Sequence, residues 1–254
     1  MPEPIYVDNH LLVVVKPAGM LSQADRTGDP DLLSVWKDWI RREYDKPGDV
    51  FLGLVHRLDR PASGVMVLAR TSKAARRLAD QFRRRTVEKC YVAVVEAADP
   101  GDGAVTPLQG AGRWTDHIRK RGSTPEIVPA SRDGARTAVL TWNARPLETR
   151  GRRQISLADI RLETGRPHQI RLQFSSRGYP IVGDMRYGAG TPLDGRNLAL
   201  HAWSLTFDHP TRREPLTFCC LPPTTWPDDA VEACRSLLTG RCENVPHQAP
   251  SLED

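Results

Sequence analysis

The sequence has few aromatic residues, few cysteines and no long hydrophobic run. Aromatic residues make up 6% of the 254 residues, and there are five cysteines. An odd number of cysteines without paired spacing does not predict a disulfide framework. Four of the cysteines precede His247 near the C-terminus, but no Cys-x-x-Cys pair occurs, so a zinc site is not predicted.

The sequence also lacks the marks of export, of membrane insertion and of nucleotide binding. The N-terminal stretch MPEPIYVDNH has no signal-peptide core, and the apolar run LLVVV ends at Lys16, far too early to span a bilayer. Neither a P-loop nor a Gly-x-Gly-x-x-Gly motif occurs. We therefore expect a cytoplasmic protein without a nucleotide, metal or other cofactor.

What the sequence does contain is enough apolar residue for a core and an excess of positive charge. The apolar fraction is 39%, too high for a disordered chain. The formal net charge is +5 and the pI is about 9.1, which is compatible with an anionic partner without requiring one.

Hydrophobic periodicity predicts a domain in which strands dominate and helices lie between them. The predicted helices are residues 31–44, 72–85 with Thr71 or Ser72 as the cap, a helix with Pro167 in its first turn and Gly178 at its end, and 228–240. Residues 98–134 are rich in Gly, Pro and charge and predict a long loop excursion with, at most, a partly ordered hairpin. The prediction is one α+β domain over residues 1–226, followed by a C-terminal helix and tail over 227–254.

The stretch GLVHRLDRPASG, residues 53–64, places one carboxylate, Asp59, between Arg57 and Arg60. Cationic neighbours favour the ionised form of a carboxylic acid. An ionised aspartate is suited to act as a nucleophile or an electrostatic partner rather than as a general acid. A surface ion pair at a turn is the alternative interpretation of the same residues.

Two basic segments are candidates for contact with phosphates. Residues 70–89 hold eight Lys and Arg against two acidic residues, and on a helix they form a stripe of four arginines, Arg76, Arg77, Arg83 and Arg84. A solvated helix face would explain the stripe equally well. The segment RWTDHIRKR, residues 113–121, interleaves Trp114 and His117 with cations.

A third concentration of polar residues is LETGRPHQIR, residues 162–171. Arg166 and His168 lie at a predicted helix N-terminus, whose free amides favour an anion, and Arg171 lies about one turn inside. By itself this is a weak signal, since a histidine before a helix often serves only as a cap.

Five segments in order give the sequence a family resemblance. VVVKPAGM, HRLDRPASGVMVLART, EKCYVAVV, LETGRPHQIRLQFSSRGYPIVGDMRYG and LALHAWSLTF together resemble the RluA-type pseudouridine synthases, over about residues 5–222. Two departures are visible. The family usually has Thr-Ser-Gly where this chain has Ala62-Ser63-Gly64, and often Val-His where this chain has Leu172-Gln173.

The resemblance implies a single catalytic domain with a mixed, mostly antiparallel sheet flanked by helices and loops. It implies an RNA uridine isomerase that acts on rRNA or tRNA without cofactor or metal and flips the target base out of its stack. No S4-type RNA-binding module, membrane association or obligate protein partner is expected. A catalytically silent protein that binds or remodels RNA on the same fold is the alternative function.

The resemblance also assigns roles to residues. Asp59 matches the nucleophile, Arg171 its basic partner, and Tyr91 the active-site tyrosine that stacks on uracil or helps in proton transfer. Arg57 matches the arginine that fills the space left by the flipped base. The residues expected to contact RNA are Arg57, Arg60, Arg166, His168, Arg76, Arg77, Arg83 and Arg84.

Overall fold

The computed structural model describes residues 3–98, 106–122, 124–147, 154–195 and 197–238. The α+β class predicted from the sequence is confirmed. In chain order the elements are β1 (Tyr6–Val7), β2 (Leu11–Lys16), α1 (Leu32–Glu43), β3 (Gly53–Leu54), β4 (Ser63–Ala69), α2 (Ser72–Arg84), β5 (Glu88–Glu96), β6 (Gly110–Arg121), β7 (Thr124–Ile127), β8 (Arg136–Pro146), β9 (Ile155–Leu162), α3 (Gln169–Ser175), β10 (Leu200–Asp208), β11 (Pro215–Cys219) and α4 (Asp228–Leu238).

Two compact units make up the chain, and each is assembled from segments that are distant in sequence. The first unit joins residues 3–87 to residues 202–223. The second joins residues 88–201 to residues 224–237. The crossings at 87/88 and 201/202 lie in strand-like segments without a Gly- or Pro-rich linker, whereas the crossing at 223/224 lies in the Pro-rich stretch LPPTTWP. The sequence predicted a single undivided domain because the first two crossings carry no linker signal.

The first unit is built on β2 and β4, which are apolar along almost their whole length. They pair antiparallel from Leu11 opposite Ala69 to Lys16 opposite Gly64. The apolar face of α2 packs on these strands through Ala74 and Leu78, which are completely buried. The helix begins where the Thr71 side chain accepts a hydrogen bond from the amide of Ala74, as predicted from the sequence.

The second unit is an antiparallel sheet in the order β5-β9-β8-β6-β7. This order corrects the expectation of a long loop over residues 98–134. Residues Gly110–Arg121 form the twelve-residue strand β6, and Thr124–Ile127 form β7. The Gly, Pro and charged residues that predicted a loop are compatible with strands here because many of the side chains of β6 are exposed.

The helix predicted around Pro167 is shorter than the sequence indicated. It begins at Gln169 and ends at Ser175, so Pro167 precedes the helix instead of occupying its first turn. His168 is the N-cap residue, but its side chain makes no capping hydrogen bond. Gly178 lies just beyond the helix with a φ of 80°, in a turn after the C-cap Ser176.

The structure also bears on the expectations about disulfide bonds and about membrane-spanning helices. Cys219 is disulfide-bonded, which the cysteine spacing did not predict, whereas Cys90, Cys220 and Cys234 are buried free thiols. Among the helices that the structure describes, none has the length and apolar character needed to cross a bilayer.

Gly64, the second residue of strand β4, is a position where only glycine fits. Its φ is 135°, and a Cβ atom there would come within 2.5 Å of the backbone nitrogen of Ala202. Gly28 is a matched control, since its φ is 75° but no atom lies within 4 Å of the added Cβ.

We expect Gly64→Ala to lower the free energy of unfolding by about 3 kcal/mol or more, because an overpacked contact adds to backbone strain. Gly28→Ala should cost only about 1 kcal/mol, from strain alone. Urea denaturation of both variants measures the two costs. Equal losses would contradict the steric account of Gly64.

Candidate active site

The loop between β3 and β4 carries Asp59, which is half-buried, and hydrogen bonds hold the peptide groups on both sides of it. On one side, the Ser22 hydroxyl donates to the carbonyl of Leu58 at 2.9 Å and accepts from its amide at 3.3 Å. On the other, the carbonyl of Arg60 accepts from the amide of Gly19 at 2.8 Å and from Lys16 Nζ at 3.1 Å. Asp59 therefore lies on a loop whose backbone is fixed.

Lys16 is the buried cation of this loop, and its side chain is inaccessible to solvent. Besides Arg60, its Nζ donates to the carbonyls of Pro17 at 2.9 Å and Met20 at 2.8 Å. Three donated hydrogen bonds require the ammonium form, because a neutral amine has only two N–H groups. Burial lowers the pKa of Lys16 to about 7, and the negative charge of Asp59 acts in the opposite direction.

The basic residues that flank Asp59 differ in their surroundings. Arg57 is exposed. Arg60 donates from Nε to the carbonyl of Gly19 at 2.9 Å and pairs with Asp29 at 2.7 Å. His56 accepts a hydrogen bond from the amide of Val67 through Nε2 and stacks on the ring of Phe82, with 4.6 Å between ring centroids. These contacts link the Asp59 loop to β4 and α2 within the first unit.

In the second unit, Arg171 forms a buried ion pair with Asp184. Its Nε and one terminal nitrogen donate to the two carboxylate oxygens at 2.7 and 2.8 Å. Only 6% of the Arg171 side chain and 1% of the Asp184 side chain are exposed, so water does not screen the pair. The paired geometry fixes the plane of the guanidinium, and Nη1 lies outside the pair.

The half-buried Tyr187 lies beside this ion pair. Its ring lies 4.9 Å from the Arg171 guanidinium carbon, and its hydroxyl lies 2.8 Å from Nδ1 of His168. His168 has a φ of 51°, in the left-handed region that costs a residue with a side chain about 1 kcal/mol or more. The predicted anion-binding end of α3 thus holds a histidine bonded to a tyrosine.

Tyr91 and Arg166 also belong to the second unit. Tyr91 is a half-buried residue of β5, opposite Ile160 of β9. Arg166 donates to the carbonyl of Thr137 at 2.9 Å, and its amide donates to the side chain of Gln169 at 3.0 Å. The buried Gln169 amide is in turn bonded to the hydroxyl of Thr164, which orders the turn before α3.

The stripe of arginines on α2 has the predicted helical placement, but its members differ. Arg77 donates to the carbonyl of Pro210 at 2.7 Å. Arg83 pairs with Asp80, and Arg84 lies 3.7 Å from the same carboxylate. Arg76 is exposed, and among the residues that the structure describes nothing bonds to its guanidinium. The stripe is therefore partly structural.

The second basic segment, residues 113–121, is strand β6, and contacts of its own unit occupy much of it. Arg113 forms a two-bond pair with Glu163 at 2.8 and 2.9 Å, and Arg119 pairs with Glu126 at 2.6 Å. Trp114 packs edge-on against Phe174 of α3, with ring centroids 4.7 Å apart. These contacts weaken the hypothesis that this segment binds the phosphates of RNA.

The residues predicted for catalysis are divided between the units. Asp59 belongs to the first, whereas Tyr91 and Arg171 belong to the second. Sequence reasoning missed Lys16 and Asp184, which it interpreted only as the end of a strand and as part of a family motif. In both cases the signal was a charged residue beside an apolar run and a glycine. Among the described residues, no group of three or more His, Cys, Asp or Glu could hold a metal ion.

Comparison with protein families identifies the family of the chain. Residues 10–176 match the family model described as RNA pseudouridylate synthase, a span that includes Lys16, Asp59, Tyr91 and Arg171. The chain belongs to the RNA pseudouridylate synthase family. The predicted membership is confirmed, and the chain is an RNA pseudouridine synthase.

Curated relatives of this synthase differ in the RNA that their names specify. An RNA pseudouridine synthase of Bacillus subtilis, YhcT, is 30% identical over 92% of this chain and 72% of its own length. The ribosomal large subunit pseudouridine synthase D of Xanthomonas campestris is 36% identical over 84% of this chain, which spans 63% of that relative. The tRNA pseudouridine synthase C of Pasteurella multocida is 31% identical over 89% of this chain and 93% of its own length.

Two solved human structures share the fold of the synthase. Human RNA pseudouridylate synthase domain containing 4 superposes with a TM-score of 0.67, at 24% identity over 87% of this chain and 88% of that one. Human RNA pseudouridylate synthase domain containing 1 gives a TM-score of 0.66, at 22% identity over 91% and 86% of the two chains. At these identities the likeness concerns the fold alone.

The buried pair predicts a large cost for removing either charge. We expect Asp184→Asn to lower the free energy of unfolding by about 3 to 5 kcal/mol, because Arg171 is left buried without its carboxylate. Asp38→Asn, which breaks the exposed pair with Arg41, is the matched control and should cost less than about 1 kcal/mol. Urea denaturation gives both values, and a loss for Asp184→Asn no larger than that of the control would contradict the account.

Proposed function

We propose that the synthase isomerises specific uridines of rRNA or tRNA to pseudouridine with Asp59 as the nucleophilic carboxylate. In this reaction the N1–C1′ bond of the uridine breaks, the uracil turns, and C5 bonds to C1′. The hydrogen on C5 leaves as a proton, and N1 gains one. The atoms balance without an oxidant, a reductant or a transferred group.

The observation that carries the proposal is the fixed backbone around Asp59. Hydrogen bonds hold both Leu58 and Arg60, so the carboxylate between them is positioned before RNA binds. The buried amino group of Lys16 interacts electrostatically with Asp59. An ionised carboxylate on a rigid loop is what a nucleophile requires.

The remaining roles follow the family match. Tyr91 is half-buried, so one part of its ring is accessible for stacking on a uracil. Arg171 supplies a guanidinium whose orientation Asp184 fixes, and we assign it to the charge balance of the reacting carboxylate. The exposed Arg57 is assigned to the space that the flipped nucleotide leaves.

Contacts with the RNA backbone are assigned to the arginines around these groups. Arg60 lies on the Asp59 loop, and Arg166 and His168 lie just before α3, the helix that contains Arg171. Of the predicted stripe of Arg76, Arg77, Arg83 and Arg84 on α2, we assign Arg76 and Arg84 to the RNA backbone, because Arg77 and Arg83 bond to Pro210 and Asp80. Ribosomal and transfer RNA both agree with the names of the relatives, and nothing in the described residues favours the alternative of a catalytically silent RNA-remodelling protein.

We expect Asp59→Asn to fold as the parent does and to lose activity by at least about 100-fold, because the amide has nearly the same shape but is a poor nucleophile. The measurement is tritium release from RNA labelled at C5 of uridine. Asp25→Asn removes another carboxylate of the same unit, an exposed one that accepts hydrogen bonds from Thr27, and should remain active. Activity of Asp59→Asn within tenfold of the parent would refute the assignment.

The Asp59→Asn variant also serves to identify the substrate. Pseudouridines are mapped in total RNA from cells that carry the parent gene, no gene, or the Asp59→Asn gene. Sites present with the parent and absent from the other two are the targets, and their location in rRNA or tRNA decides between the two classes. The presence of the same sites in all three samples would contradict the proposed function.

A further inference from the structure

A basic cleft lies in the first unit, between α2 and the turn that joins β10 to β11. It has a volume of about 540 Å³. The residues that line it are Arg76, Arg77, Asp80, Gln81, Arg84, Asp208, His209, Pro210 and Arg213. Four guanidiniums face two carboxylates, so with His209 counted as neutral the lining carries a net charge of +2. Arg83, outside the lining, pairs with Asp80 and offsets part of the negative charge.

Two walls of the basic cleft are joined by hydrogen bonds. The Gln81 side chain donates to the carbonyl of Asp208 at 2.8 Å and accepts from its amide at 2.9 Å. Arg77 donates to the carbonyl of Pro210 at 2.7 Å. These bonds fix the turn against the helix, so the cleft exists without a ligand and its cations need little reorganisation to bind one.

The turn is further held by the buried His209. Its Nε2 lies 2.9 Å from a carboxylate oxygen of Asp8, and its Nδ1 accepts from the amides of Thr211 at 3.2 Å and Arg212 at 3.0 Å. The amide of Arg213 donates to the carbonyl of His209 at 2.9 Å. Both nitrogens of the ring are thus used for structure, which excludes His209 as a ligand-binding group.

Three of the four guanidiniums are available for a ligand. Within the part of the chain that the structure describes, nothing bonds to the guanidinium of Arg76 or of Arg213. Arg84 is exposed, and its contact with the Asp80 carboxylate is long, at 3.7 Å, because Arg83 binds that carboxylate more closely. Arg213 has a φ of 63°, a conformation that glycine would adopt without cost, yet an arginine stands there. The cleft therefore presents unsatisfied cations on both walls.

We propose that the basic cleft binds the phosphodiester backbone of the RNA substrate, through Arg76, Arg84 and Arg213. Guanidiniums pair with phosphate oxygens through two parallel hydrogen bonds. The residues that line the cleft include no Trp, Tyr or Phe, so it offers no surface on which a base would stack. The contact is to the backbone of a stem and is independent of base sequence. This inference rests on the proposed function, since it takes RNA as the substrate.

The proposal divides the stripe of α2 differently from the sequence. Arg77 and Arg83 are committed to Pro210 and Asp80, whereas Arg213, from a turn about 130 residues further along the chain, joins Arg76 and Arg84. His56 stacks on Phe82 of the same helix, so α2 connects the cleft to the Asp59 loop within one unit. A stem held in the cleft is thereby held by the element that supports the catalytic loop.

The test compares three triple variants of the full chain by RNA binding. The cleft variant replaces Arg76, Arg84 and Arg213 by Ala, and a charge-preserving variant replaces the same three by Lys. The control replaces Arg26, Arg41 and Arg42, all exposed and outside the cleft, by Ala, so it removes the same charge. Affinity for a labelled stem-loop RNA is measured from about 50 to about 200 mM salt, the range in which multi-contact complexes weaken most. Thermal unfolding checks that each variant is folded.

We expect the cleft variant to bind RNA about tenfold or more weakly and to lose about 2 to 3 from the slope of log affinity against log salt, because each duplex phosphate contact contributes about 0.9. A stem-loop with a scrambled sequence should show the same loss. The Lys variant should keep most of the slope, and the control should keep the parent's.

The proposal is overturned when the cleft variant changes the slope no more than the control does, or when the loss depends on the sequence of the stem. It is also overturned when the parent's RNA slope survives in the cleft variant while binding to anionic lipid vesicles is lost, since that assigns the cleft to a membrane surface. Binding is measured without turnover, so either result leaves the tritium-release test of Asp59 unaffected. Conversely, an active Asp59→Asn variant would refute the proposed function and leave the binding result in place.

Discussion

The buried amino group of Lys16 is the constraint on which the Asp59 loop depends. Lys16 is the last residue of β2 and lies opposite Gly64. Its Nζ donates to the carbonyls of Pro17, Met20 and Arg60. Burying a charge is costly unless every N–H group finds a partner. Here three carbonyls accept the three N–H groups, and the charge of Asp59 lies close enough to oppose the loss of the proton. One residue thus joins the core of the unit to the loop.

The second unit solves a similar problem with an ion pair. Arg171 is held by Asp184, beside the ring of Tyr187, at the start of a helix too short to be stable by itself. In both units a charge is removed from water and oriented by bonds that water cannot compete for. Charges held in this way keep their orientation before any ligand binds, and under the proposed function the exposed arginines of the first unit add the contacts that depend on salt.

The sequence predicted those parts of the structure that depend on local pattern. The helix over residues 31–44 followed from the spacing of its apolar residues, the cap at Thr71 from a hydrogen bond within a few residues, and the family membership from ordered motifs. It failed where structure depends on pairing and not on composition. β6 pairs with β7 and with β8, although its Gly and charged residues indicated a loop. The partnership of Arg171 with Asp184 and the meeting of Arg213 with α2 depend on the tertiary fold, so no spacing in the chain announces them.

The central claim, that Lys16 is desolvated where it bonds to the carbonyls of the Asp59 loop, is tested most directly by comparing the parent with Lys16→Met between pH 7 and pH 9. The folded pKa of about 7 lies below the ordinary 10.5, so between these values the unfolded chain binds more protons and rising pH favours the folded state. The parent should gain about 2 kcal/mol of unfolding free energy relative to Lys16→Met over this interval. A stability difference that does not change with pH would show that Lys16 titrates normally and would contradict the account.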